Sequence, residues 1–187
     1  MADTIYIEKN GGHFEYFICN MPDDDEKSVH VKNSVVARES FKNADIIENV
    51  FFDKCNLIEE SAFECCKELK NVIWKSENCN ENKSVIKGIT IPSFVSGVSN
   101  LRLQHKAFKN CSKLHSVILP SLNGRLTIEK EAFAGCTELR TVVFCGSCSI
   151  DMEEDSFLGC SKLTFVCHTG SPCEKFAREH GFRIVNF

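Results

Sequence analysis

Four eight-residue segments share one pattern, and that pattern restricts the fold more than any other feature of the chain. They are residues 62–69 (AFECCKEL), 107–114 (AFKNCSKL), 132–139 (AFAGCTEL) and 156–163 (SFLGCSKL). Each reads small-Phe-x-x-Cys-x-x-Leu and leads through two residues into a valine and a β-favouring run, at Val72, Val117, Val142 and Val166. Two degenerate copies fit the same frame. Phe41 leads to Ile47 and Val50, with Ala44 in the cysteine position. Another copy supplies Ile86 and Ile89, with Asn80 and Lys83 in place of Phe and Cys. Successive valine positions lie 22, 17, 28, 25 and 24 residues apart, so the third copy is short and is followed by an insertion.

A further apolar residue precedes each phenylalanine by five positions: Val36, Ile58, Leu103, Ile128 and Met152. The unit is therefore a short extended segment, a helical turn carrying Phe and Cys, and a second strand. One such unit cannot enclose a core, but stacked units place Phe on Phe and Leu on Leu. The repeat also explains the composition. Fifteen phenylalanines stand beside two tyrosines and one tryptophan, and four of the twelve cysteines fill a single repeated site, where a free cysteine packs as a small hydrophobe.

The motif A-F-x-x-C-x-x-L-x-x-V-x-x-P resembles the BspA-type leucine-rich repeats. The resemblance rests on Phe63/Cys66/Leu69/Val72, Phe108/Cys111/Leu114/Val117/Pro120, Phe133/Cys136/Leu139/Val142 and Phe157/Cys160/Leu163/Val166. It extends over about residues 34–187, and the tail from Gly170 to Phe182 is similar to that family's C-terminal cap, a short helix followed by a last strand. The fold class it implies is a leucine-rich-repeat-like α/β solenoid, mainly β, with about six stacked repeats of 17–28 residues. It would carry an N-terminal hairpin cap over residues 1–33, the solenoid over 34–169 and a helix–strand cap over 170–187, all in one continuous domain.

The ends support that division. Residues 4–8, the Asn10-Gly11-Gly12 turn and residues 13–19 read as strand, turn and strand. At the other end, Pro172 opens a candidate helix over residues 172–179 and Gly181 stops it. The acidic run Asp23-Asp24-Asp25-Glu26 reads as a solvated turn.

Alternation along the strands divides their residues between two faces. The Val position and the residue two further on point inward, which selects Phe52, Trp74, Ile91, Leu119, Phe144 and His168 as the second inward set. The residues between them face outward: Phe51, Ile73, Thr90, Ile118, Val143 and Cys167. A strand with one wet face carries polar residues there, yet five of these six are apolar. They form a stripe on the outer face of the sheet, edged by Asn49, Asn71, Ser116 and Thr141 on one side and by Asp53 and Lys75 on the other. As a binding site for a partner protein it comprises Phe51, Ile73, Thr90, Ile118 and Val143, with Asn49, Asn71 and Lys75 at the margin; the alternative is that β-propensity alone selects these residues or that a loop covers the stripe.

Other functions find less support. The net charge of −4 gives no basic footprint for nucleic acid. No run of apolar residues is long enough for a transmembrane helix, and the N-terminal stretch has no apolar core of a secretory signal, which points to the cytoplasm, where thiols stay reduced. The pair Cys145 and Cys148 has zinc-like spacing, with Cys167, His168 or Cys173 as further ligands. That defines an alternative reading as a zinc- or thiol-dependent protein. In an exported protein, an adhesin-like binder of host protein or glycan, the same cysteines would be candidates for disulfides. The sequence holds no Gly-rich phosphate loop, no Ser-centred elbow and no H-E-x-x-H. It implies no enzyme, no cofactor and no resident metal.

Overall fold

The computed structural model describes residues 5–9, 12–16, 27–74, 83–86, 89–92, 98–146 and 148–186. In chain order the strands are β1 (Ile5–Lys9), β2 (Gly12–Tyr16), β3 (Ser28–Val31), β4 (Val35–Val36), β5 (Asn49–Phe52), β6 (Leu57–Ile58), β7 (Asn71–Trp74), β8 (Lys83–Ile86), β9 (Ile89–Pro92), β10 (Leu101–Leu103), β11 (Ser116–Leu119), β12 (Arg125–Ile128), β13 (Thr141–Phe144), β14 (Ser149–Met152) and β15 (Thr164–Cys167). Helix α1 (Pro172–Glu179) and β16 (Arg183–Asn186) follow.

These elements build a solenoid of about six turns. The long strands form a seven-stranded parallel sheet in the order β16-β15-β13-β11-β7-β5-β3, and the short ones a five-stranded parallel sheet in the order β14-β12-β10-β6-β4. Val36, Ile58, Leu103, Ile128 and Met152, the apolar positions five residues before each phenylalanine, all lie in the short sheet.

The third side of each coil is the Phe-Cys segment. It is a series of tight turns and not a helix: Cys66 N–H bonds Phe63 O and Cys111 N–H bonds Phe108 O, each three residues back. Coil-to-coil bonds run through this side too, from Phe63 N–H to Ala107 O and from Phe108 N–H to Ala132 O, both at 2.8 Å. Every side of the coil thus satisfies its backbone against its neighbours, so the stack leaves few unpaired groups except at its two ends.

Inside, the five coil phenylalanines stack almost parallel. Centroid separations are 4.9 Å for Phe41–Phe63, 5.1 Å for Phe63–Phe108, and 5.2 Å for both Phe108–Phe133 and Phe133–Phe157. Beside them runs a thiol ladder. Cys66 Sγ donates to Phe41 O, Cys111 to Phe63 O, Cys136 to Phe108 O and Cys160 to Phe133 O, at 2.9–3.2 Å. The repeated cysteine is therefore more than a small apolar filler. Its S–H occupies the second lone pair of a carbonyl that already accepts a turn N–H.

Two sequence expectations change. The copy built on Ile86 and Ile89 is not a rung: β8 and β9 pair with each other as an antiparallel hairpin, while β7 pairs directly with β11 and β6 with β10. The strand of the last repeat, β15, is also shifted by one residue. Phe165 aligns with Val142 and Val166 with Val143, because the segment after Leu163 enters its strand one residue sooner than the segment after Leu139. A one-residue shift exchanges the two faces. Cys167 therefore points into the core, and Val166 takes the outward place assigned to it.

At the C-terminal end α1 runs from Pro172 to Glu179, the span marked by its proline and glycine. Ser171 is its N-cap and accepts from Glu174 N–H. Phe182 lies 5.0 Å from Phe165, nearly parallel, and meets Phe157 edge-on at 6.0 Å, which closes the aromatic stack.

Candidate functional site

The outer face of the seven-stranded sheet carries two rows, one polar and one apolar. The polar row is hydrogen-bonded from rung to rung. Asn71 Nδ2 donates to Asn49 Oδ1 at 2.8 Å, Ser116 Oγ to Asn71 Oδ1 at 2.9 Å, and Asn49 Nδ2 to Ser28 Oγ at 3.4 Å. Asn49, Ser116 and Thr141 are buried, and the two asparagines spend much of their side-chain capacity on holding strands in register.

The apolar row contains Phe51, Ile73, Ile118 and Val143 on adjacent rungs, as the alternation predicts. Val166 extends it. At its ends the row gains two residues that the repeat pattern did not single out, His30 on β3 and Val185 on β16. His30 stacks on Phe51 with centroids 4.9 Å apart. The alternation of Ser28-Val29-His30-Val31, with valines inward, was the available signal for the first rung. Thr90 lies on the β8–β9 hairpin, outside this sheet. Lys75 lies outside the described residues.

The row is not open to water. Phe51, Ile73, Ile118, Val143 and Val166 are 1–5% exposed, although none belongs to the cluster of side chains packed inside the solenoid. The residues face outward as a continuous row, and that row is buried.

Among the remaining cysteines, Cys145 and Cys148 are half-buried and Cys167 and Cys173 fully buried. Burial pushes the Cys145 thiol up to about 12. Among the described residues no three His, Cys, Asp or Glu side chains are grouped so as to hold a metal ion. No described helix is long and apolar enough to cross a membrane.

Comparison with known proteins follows this geometry. Residues 34–165 match the model of the BspA type leucine-rich repeat region in six copies. The chain belongs to this leucine-rich repeat family. Among solved structures it is similar to a leucine-rich repeat protein from Bacteroides ovatus ATCC 8483, with a TM-score of 0.50 and 21% sequence identity. That match covers 86% of this chain and 42% of the other, so this chain spans less than half the length of its structural neighbour. The likeness concerns the fold. No curated protein matches the sequence.

Proposed function

We propose that the chain is a non-catalytic protein-interaction module that takes a partner protein on the outer face of its long sheet. The observation that carries this reading is the second apolar row. A sheet that serves only to close a solenoid needs apolar side chains on its inner face alone, yet Phe51, Ile73, Ile118 and Val143 form a contiguous row on the other side. Membership of a repeat family that generally mediates protein interactions supports it. Asn49 and Asn71 edge the row, and Lys75 follows β7 directly in the sequence. A cytoplasmic setting, where thiols stay reduced, suits the thiol ladder, whose four cysteines act as S–H donors.

Because the row is buried, docking has two steps: the row becomes exposed, then the partner packs on it. The apparent affinity is the intrinsic one multiplied by the fraction of open molecules. Capture from cells of the source organism, comparing the natural chain with Ile118→Asp combined with Val143→Asp, tests the reading. The expected result is a variant with unchanged circular dichroism that no longer retains the partner. A folded variant that still captures the same protein moves the site to another face, and a variant that unfolds makes the row part of the core.

A further inference from the structure

The two parallel sheets of the solenoid differ on their outer faces. On the short sheet the outward positions Val35, Leu57, Arg102, Thr127 and Asp151 lie side by side, and Val35, Arg102 and Asp151 are open to water. On the long sheet the apolar row is buried from β5 to β15, and so are Asn49, Ser116, Thr141 and Thr164 beside it. The flanks of the same sheet are open, since His30 on β3 and Arg183 on β16 are exposed. An outward place in a parallel ladder therefore does not by itself bury a side chain.

Two hairpins take no place in the stack. The registers pair Ile5 with Tyr16 and Ile7 with Phe14 in β1–β2, and Ser84 with Ile91 and Ile86 with Ile89 in β8–β9. Alternate positions share a face. The positions of Ile5, Ile7, Phe14 and Tyr16 thus fall on one face of the first hairpin, and those of Glu8, His13 and Glu15 on the other. In the second hairpin the positions of Ile86, Ile89 and Ile91 fall together, opposite those of Lys83 and Thr90. A two-stranded ribbon cannot bury an apolar face alone. The two hairpins also lie together, because β1 and β9 are neighbours in space.

On the reading that the outer face of the long sheet takes a partner, we infer that the β1–β2 and β8–β9 hairpins form a lid over that face, which the partner protein displaces when it docks.

The dimensions agree. From β5 to β15 there are four inter-strand spacings, about 19 Å, and two hairpins side by side are about as wide. Residues 17–27 join β2 to β3, which borders the buried strands, and residues 75–82 join β7, one of those strands, to β8. The shorter of these tethers reaches about 26 Å. The first coil is not where β1–β2 buries its apolar face, because Val35 and Ile46 there are 40% and 75% exposed. Neither hairpin is hydrogen-bonded into the long sheet. Held by apolar packing and not by strand pairing, the lid opens at a lower free-energy cost than any coil of the stack.

Hydroxyl-radical footprinting of the full chain tests the lid without a partner. Phe51 and Phe52 are adjacent on β5, one in the outer row and one in the core, so Phe52 is an internal control. Ile7→Lys, Phe14→Lys, Ile89→Lys and Ile91→Lys are combined in one chain. Oxidation of Phe51 is expected to rise several-fold over the natural chain while Phe52 stays protected. A Phe51 that remains protected overturns the proposal. Equal oxidation of both rings reports loss of the solenoid, and a second measurement that leaves the hairpins unaltered then decides. With Ile118→p-benzoylphenylalanine, irradiation is expected to cross-link that position to peptides from residues 1–26 or 75–97, and cross-links confined to the rest of the chain overturn the lid. Partner capture is read separately. Stronger retention by the opened variant supports docking, whereas an exposed Phe51 with no gain in capture removes the partner site and leaves the hairpins as the cover.

Discussion

Most coils turn through the left-handed backbone region on both sides of the phenylalanine. Two residues before it stand Glu39, Ser61, Lys106 and Glu131. Two residues after it stand Asn43, Cys65, Asn110, Gly135 and Gly159, all at φ between 55° and 83°. The second position explains a drift in the repeats that the Phe-Cys-Leu pattern leaves open. Glycine adopts this region freely and asparagine tolerates it, whereas other side chains cost about 1–2 kcal/mol there. Cys65 is the misfit of the column. Cys65→Gly is predicted to raise stability by about 1 kcal/mol, read as a higher denaturant midpoint, and a lower midpoint would mean that the Cys65 side chain outweighs its backbone strain. The reverse change at Gly135 is worse than the dihedral alone implies, since an added Cβ would lie 2.3 Å from Asn110 Oδ1. Around Gly159 nothing comes nearer than 3.7 Å to such an atom. Gly135→Ala is accordingly predicted to destabilise more than Gly159→Ala in the same denaturant series, and equal losses would show that Asn110 moves aside freely.

At the scale of the element, the aromatic stack and the ion pairs act between coils. Phe133 sits between Phe108 and Phe157, 5.2 Å from each and fully buried. Phe133→Ala is predicted to cost about 3–5 kcal/mol, in the upper part of that range because two ring contacts are lost together; a loss below that range would mean the coils close over the cavity. On the surface, Glu48 accepts from Lys27 and Lys70, residues of the coils before and after it. Those two bonds hold its carboxyl down to about 2, against an ordinary value of 4.5. A lowered carboxyl stabilises the fold above the unfolded-state value and loses that contribution as the pH falls through the folded one. Stability is therefore predicted to decline between pH 4.5 and about 2, and Glu48→Gln to flatten that part of the curve; an unchanged curve assigns the acid limb to other carboxylates. The long strands were legible in the sequence wherever inward and outward residues differ in polarity or size, as in Asn71-Val72-Ile73-Trp74. They were not legible in Phe165-Val166-Cys167, where every residue is apolar, the valine invited alignment with the other valines, and only the earlier entry into the strand sets the faces.

The architecture of the whole molecule followed from the period, but two of its features did not. Ile86 and Ile89 fit the apolar frame of a coil, yet their copy lacks the Phe and Cys of the others, and β8 and β9 pair with each other as a hairpin. The candidate face was legible as a row and not as a covered row, because alternation states which way a side chain points and not what lies over it. One segment of the sequence, between β7 and β10, bears on both. Elsewhere the long and short sheets are joined by three to five residues, 32–34, 53–56, 120–124 and 145–148, whereas here the connection is residues 75–100. Removing residues 76–97 leaves a four-residue connection and keeps Val98, which is buried in the core, and Asn100, whose Oδ1 accepts from Arg125 N–H at 2.8 Å. Since β7 already pairs with β11 and β6 with β10, the shortened chain is predicted to fold with the same circular dichroism and a cooperative thermal transition. Loop length adds only slowly to the entropy of closure, about 0.6 kcal/mol for each doubling, so the midpoint is expected to hold or rise slightly. A chain that fails to fold would show that the segment supplies part of the core. A folded chain offers a second reading through binding of a hydrophobic dye: increased binding would identify the removed segment as the cover over Phe51, Ile73, Ile118 and Val143, and unchanged binding would place the cover elsewhere in the chain.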